Sequence, residues 1–199
     1  MKKLSLYIFL ILIFTLPTPS QADDIRDLEI EGISIGDSLL DHLSKKEIIT
    51  DIENNKPAYN YLTDEFGEVY LFGNFENYDI LGFKVKPKDK NYTIYSIKAS
   101  IMYDDKLDMC FAKQKEIEKE FSSTFKNINK KKKTFKFPFD PTGESVSHSI
   151  TFVFDTGGQI QINCTKYKKS LKIENNWSDA LQVMIQTKEI INWFNKPIN

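Results

Sequence analysis

Apolar positions along this chain change period more than once, and the changes divide it into helix-forming and strand-forming stretches. Leu39, Leu40 and Leu43 follow Gly36-Asp37-Ser38, and Ile48, Ile49 and Ile52 follow Ser44 and Glu47 at capping-box spacing. This predicts two short helical pieces from about Ser38 to Asn54, stopped by Asn54-Asn55-Lys56-Pro57 because proline pushes its predecessor out of the helical region. From Ala58 the period is two: Tyr59 and Tyr61, then Val69 and Leu71, then Leu81, Phe83 and Val85, separated by turn-rich segments. These read as short antiparallel strands. In the clearest case Tyr95, Ile97, Ala99, Ile101 and Tyr103 alternate with Ser96, Lys98, Ser100 and Met102, a strand with one buried face and one wetter face.

The helical period returns at Cys110, Ile117, Phe121, Phe125 and Ile128, set among Lys115, Glu116, Glu118 and Lys119. An amphipathic helix from Cys110 to Ile128, lying on the sheet, is expected. Lys130 to Lys133 then reads as a solvated connector into a strand at Thr134 to Phe139, cut off by Pro138 and Pro141. His148 to Asp155 and Gln159 to Tyr167 make the strongest hairpin. A three-residue loop Thr156-Gly157-Gly158, with Gly158 left-handed, would pair Phe154 with Ile160, Phe152 with Ile162 and Ile150 with Cys164. Leu181, Val183 and Ile185 form a last alternating run before a terminal helix through Ile190, Ile191, Trp193 and Phe194. The expected class is α+β, a largely antiparallel sheet packed against the amphipathic helix. The order helix-then-strands occurs twice, which predicts two halves of like topology without residue-level repetition.

The first 22 residues belong to neither pattern. Lys2 and Lys3 precede an apolar run from Leu4 to Leu16, and Ser20-Gln21-Ala22 ends it with small residues at the positions a signal peptidase reads. Residues 1–22 are expected to be a secretory signal peptide, residues 23–199 a single domain, and the address periplasmic or secreted. The apolar run falls short of the roughly 20 residues a membrane-spanning helix needs, and no later segment approaches that length. The mature chain would carry 25 basic and 28 acidic residues, net −3, which argues against a general nucleic-acid binder.

Cys110 and Cys164 are the only cysteines, and an even pair in an oxidising compartment reads as one disulfide. Both fall on apolar faces that should meet, one on the long helix and one on the hairpin. Closing that loop contributes on the order of 4 kcal/mol in the chain-entropy model. With His42 and His148 the only histidines, no metal cluster and no cofactor are expected. Asp104, Asp105 and Asp108 lack the glycine and terminal glutamate of a calcium loop and read instead as charges favouring the start of the long helix.

Phe152-Val153-Phe154-Asp155-Thr156-Gly157 resembles the apolar-apolar-Asp-Thr-Gly signature of aspartic proteases, whose paired carboxylates share a proton and activate a water. The chain holds one copy, so catalysis by Asp155 would need a homodimer, and Gly158 stands where that family usually has Ser or Ala. The same residues are what a tight turn demands. Gly32 to Leu40 is similar to the opening of small SmpA-type envelope lipoproteins, over nine residues and without their lipid-bearing cysteine, and nothing is carried across. A thiolate–imidazole pair of Cys164 and His148 can be drawn, one diagonal step apart on the expected hairpin face, but it competes with the disulfide.

Tyr70 and Phe72 must point away from the core if Val69 and Leu71 face it. With Tyr59 and Tyr61 they form a candidate aromatic surface for a protein, peptide or glycan partner. The favoured functional reading is therefore a non-catalytic secreted or periplasmic binding or accessory module. The alternative is a hydrolase using Asp155 or Cys164 with His148.

Overall fold

The computed structural model describes residues 24–56, 64–125 and 128–196. The leader at 1–22 and the aromatic pair Tyr59 and Tyr61 lie outside them. The chain starts with a 3₁₀ turn at Ile25–Asp27, a two-stranded ribbon of β1 (Glu29–Ile30) and β2 (Ile33–Ser34), and a 3₁₀ turn at Leu39–Asp41. Helix α1 (Lys45–Asn55) begins at the expected capping box: Glu47 N–H donates to Ser44 Oγ while Ser44 N–H donates to Glu47 Oε2. Then come β3 (Gly67–Phe72), β4 (Ile80–Val85), β5 (Ile94–Met102), α2 (Leu107–Thr124), β6 (Asn129–Lys136), β7 (Val146–Val153), β8 (Gln159–Lys166), α3 (Lys169–Asn175), β9 (Ala180–Gln186) and α4 (Lys188–Phe194).

Seven of these strands form one antiparallel sheet in the order β3-β4-β5-β9-β8-β7-β6. The fold is α+β. Each half is a helix followed by an up-and-down meander, α1-β3-β4-β5 and α2-β6-β7-β8, and β9 joins the two by pairing with both β5 and β8. The expectation of two helix-then-strands halves holds at the level of topology.

Alternation sorts the sheet into two faces. One carries Val69, Leu81, Phe83, Ile97, Ala99, Leu181, Val183, Ile185, Ile160, Ile162, Ile150 and Phe152, all buried in one connected core. On it lie α1, against β3, and α2, against β8 and β9. Gly67 lets α1 close down, because a Cβ there would sit 2.7 Å from Ile52 Cγ2. Phe121 of α2 meets Phe152 edge-on at 5.8 Å, and buried Gln114 donates to the carbonyls of His148 and Ile162. Cys110 is disulfide-bonded to Cys164, with Cα atoms 5.9 Å apart, tying α2 to β8.

Three expectations shift. The hairpin loop is Asp155-Thr156-Gly157, with Gly157 left-handed (φ +86) and Phe154 N–H donating to Gly158 C=O. Phe152 therefore pairs with Ile160, Ile150 with Ile162 and His148 directly with Cys164, two residues from the expected register. An even slip keeps every side chain on its face, so the apolar pattern could not detect it. Gly158 is fixed by packing rather than by a left-handed backbone: a Cβ would lie 2.8 Å from Ile25 Cδ1.

Lys130 to Lys133, secondly, are not a connector. They are the first half of edge strand β6, with Lys130 and Lys132 on the helix side, both bonded to Glu118 of α2. Lysines on an edge oppose pairing with another chain. The opposite edge, β3, is shielded by side chains of α1: Tyr70 N–H donates to Asp51 and Asn55 Nδ2 donates to Glu68 C=O. The long helix, thirdly, runs from Leu107 to Thr124 and carries no side-chain cap. Of the acidic cluster, only Asp108 sits in its first turn, while Asp105 pairs with Lys172 of α3.

Candidate functional site

The second face of the sheet carries a different chemistry. Reading the registers across the sheet gives rows of side chains that share it. One row is Glu68, Lys84, Ser96, Gln186, Gln159, Val153 and Asn129. The next is Tyr70, Gly82, Lys98, Met184, Gln161, Thr151 and Lys131. The third is Phe72, Ile80, Ser100, Gln182, Asn163, Ser149 and Lys133. Helix α4 shields the corner nearest Lys84, where Phe194 lies 5.5 Å from the ammonium and Trp193 packs on Phe66.

Gly82 organises the middle row. With no side chain between Tyr70 and Lys98, the lysine crosses β4 and lies on its neighbour: a Cβ on Gly82 would be 3.1 Å from both Lys98 Cε and Tyr70 Cε1. Lys98 Nζ donates to Tyr70 Oη and to Glu68 Oε1, both at 3.0 Å, and stacks over the Tyr70 ring at 4.8 Å. Glu68 Oε1 also pairs with Lys84 Nζ at 3.0 Å. Glu68 and Lys84 are 5% and 7% exposed, so the triad is mostly desolvated. Burial pulls the Lys98 ammonium down, but Glu68 and Tyr70 more than offset it and hold the group above the ordinary lysine value. At Lys84 burial wins over the Glu68 carboxylate and the value falls. Glu68 and Lys84 also line a cleft of about 210 Å³ with Ile52 and Trp193.

Burial raises the Tyr167 phenol at the end of β8. Ser100, Ser149 and Asn163 in the third row are 4–7% exposed. Among the described residues, Asn163 Oδ1 is a buried side-chain oxygen with no hydrogen-bond partner. An orphaned acceptor of that kind costs about 1–3 kcal/mol.

At the far end Phe137 stacks on Phe139 at 4.9 Å and on Tyr167 at 5.6 Å, and Trp177 packs on both Phe139 and Tyr167. Phe139 and Trp177 are 48% and 38% exposed. The loop beneath is held by Asp140, which accepts from Thr142 N–H, Thr142 Oγ1 and Ser145 N–H. Those bonds, the Thr142 hydroxyl first, keep its carboxyl well below the usual range.

The sequence-derived candidates are distributed unevenly over this arrangement. Tyr70 and Phe72 do point away from the core. Phe72 is 70% exposed, with its ring 6.3 Å from that of Tyr70, whereas the Tyr70 hydroxyl is engaged by Lys98. Asp155 is exposed at the hairpin tip, and the Cys164 sulfur is bonded to Cys110. His148 lies opposite Cys164 rather than diagonal to it, with Nδ1 2.8 Å from Thr134 Oγ1 and its ring edge-on to Phe111. Glu68, Lys84 and Tyr167 were not singled out by the sequence, and Asn163 only as the first residue of an Asn-Cys-Thr glycosylation tripeptide. Their available signal was polar residues in register with one another on the wetter side of alternating strands. No protein-family model matches the chain, nor does any curated protein or solved structure.

Proposed function

We propose that the protein is a non-catalytic binding module and that the second face of its sheet is the surface it binds with. The observation that carries this reading is the set of large apolar side chains left open to solvent at the two ends of that face, Phe72 at 70%, Phe139 at 48% and Trp177 at 38% exposed, since clustered exposed apolar groups mark interaction surfaces. Support comes from the breadth of the face. Six strand spacings of ~4.8 Å and strands about 20 Å long give a face of the order that one partner contributes to a standard protein interface, about 800 Å². The Cys110–Cys164 bond and the lack of a membrane-crossing helix among the described residues are compatible with work outside the cytoplasm. Export through the leader at 1–22 is part of the same proposal.

The test is selection of binders from a displayed random-peptide library on the wild-type protein, followed by challenge with a Gln161→Arg, Gln182→Arg variant. Both side chains are half-buried on the second face. Loss of binding by most selected sequences is expected. Retention by most of them would place the binding surface elsewhere and sink the reading.

A further inference from the structure

The two margins of the sheet are finished differently. At β3 the side chains of Asp51 and Asn55 occupy the amide of Tyr70 and the carbonyl of Glu68. At the other margin β6 pairs with β7 alone, residue for residue from Asn129 with Val153 to Lys136 with Val146 and without a bulge. Every second residue of an antiparallel edge strand turns its N–H and C=O away from its neighbour, so β6 offers alternating donors and acceptors along its outer side. Natural edges are commonly blunted by shortness, proline, a bulge or a covering element. β6 has eight residues, none of them proline, and all but Phe135 are exposed. Its guard is charge. By alternation Lys130, Lys132 and Lys136 stand on the helix side and Lys131 and Lys133 on the second face. Glu118 pairs with Lys130 and Lys132, while among the described residues Lys131, Lys133 and Lys136 have no carboxylate partner.

We infer that the outer side of β6 is a docking edge for an extended acidic segment of a partner protein. The segment adds to the sheet as a further strand, its backbone in ladder with β6 and its carboxylates beside the lysines of both faces. Charge selects this occupant. A second copy of the chain meeting the edge through its own β6 sets lysine against lysine, which is destabilising in directly opposed pairs. The guard that bars self-pairing thus admits a strand of opposite sign. Lys130 to Lys133 are consecutive and alternate between faces, which asks for neighbouring rather than alternate acidic residues in the partner. A polyphosphate chain would meet the lysines and the outward N–H groups but, being all acceptor, gives the outward carbonyls nothing. Docking here is independent of the role proposed for the second face, which the test below leaves untouched.

The experiment is a titration of the isotope-labelled, disulfide-intact protein, followed by amide chemical shifts and hydrogen exchange. Four probes are used: a blocked decapeptide of Glu, Thr and Val with paired glutamates, its Gln-for-Glu counterpart, the acidic peptide N-methylated at every residue, and linear inorganic polyphosphate. N-methylation keeps the charge and removes the backbone donors. Expected from the acidic peptide are saturable shifts in β6, weakening with added salt, and slowed exchange at every second β6 amide. The Gln and N-methylated peptides should each bind at least about tenfold more weakly. The Lys131→Gln, Lys133→Gln variant changes only exposed side chains, so it keeps its fold, and should reduce affinity severalfold. Lys119→Gln, exposed on α2, should leave it unchanged and so control for net charge. Equal binding of the N-methylated peptide or of polyphosphate at β6 would overturn strand addition in favour of a plain polyanion site. Equal binding of the Gln peptide, or affinity indifferent to the double lysine variant, would overturn the acidic partner. Binding of the acidic peptide away from β6, or none at all, would overturn the docking edge itself.

Discussion

The two faces of the seven-stranded sheet share every backbone hydrogen bond and differ only in side chains. The helix-covered face is filled by Ile, Val, Leu and Phe that reach zero exposure at Val69, Phe83, Ile97, Phe152, Ile160 and Ile162. Groups on the other face are nearly as buried, at 4–7% for Ser96, Ser100, Ser149 and Asn163, but they are hydroxyls and amides, with a triad of Glu68, Lys84 and Lys98. Burial of apolar groups contributes about 25 cal/mol per Å², whereas burial of polar groups contributes little even when every partner is present. The contrast teaches that equal burial does not mean equal contribution to stability. One face holds the molecule together, and the other keeps a shape and a charge pattern at some cost.

Substitutions should divide along the same line. The largest loss is expected on removing the bond that anchors α2 to the apolar face: Cys110→Ser with Cys164→Ser should lower unfolding free energy by about 4 kcal/mol, read from denaturant midpoints. Phe152→Ala, on that face beneath Phe121, should cost roughly 3 kcal/mol or more through lost transfer and a residual cavity. On the second face the sign should reverse. Asn163→Val replaces an orphaned acceptor with a β-branched residue of similar size, and thermal melts should show it neutral or more stable by up to about 1 kcal/mol. A clear destabilisation would mean that Asn163 is structural and would erase the contrast.

The smallest expected effect concerns pH and the loop between β6 and β7. The folded-state value of Asp140 lies below its ordinary 3.8. Its bonds to Thr142 and Ser145 therefore stabilise the fold fully above that value, and the contribution is lost as pH falls below it toward the depressed one. Asp140→Asn should remove part of the drop in melting temperature that the wild-type protein shows between pH 5 and pH 2.5. An unchanged slope would assign that drop to other carboxylates.

Legibility from sequence followed the same division. Period-two runs such as Ile97-Ala99-Ile101, the capping box at Ser44 and the spacing from Cys110 to Phe121 all report burial against a core. They located the strands, α1, α2 and the disulfide. The register of the β7–β8 hairpin was two residues off because both alternatives place the same residues on the same face, and only the left-handed preference of Gly157 over Gly158 separates them. Lys130 to Lys133 read as a connector because an edge strand with lysines on both sides lacks any apolar alternation. The second face was the least legible. Lys98 meets Tyr70 through Gly82, and Asn163 meets Gln182 and Ser149, only once three strands are laid side by side in register. No local pattern ties Glu68 to Lys98, 30 residues away.

Both margins of the sheet are guarded, and unequally. At β3 the amide of Tyr70 and the carbonyl of Glu68 are occupied by Asp51 and Asn55, a chemical closure that survives any ionic strength. At β6 the guard is only a row of positive charge, partly neutralised by Glu118. In a crowded, salty compartment the first margin stays inert, while the second is where lateral growth into fibres would begin if it began at all. Lys131 and Lys133 stand in that row on the second face, so a variant that loses them also thins the molecule's protection against self-templating.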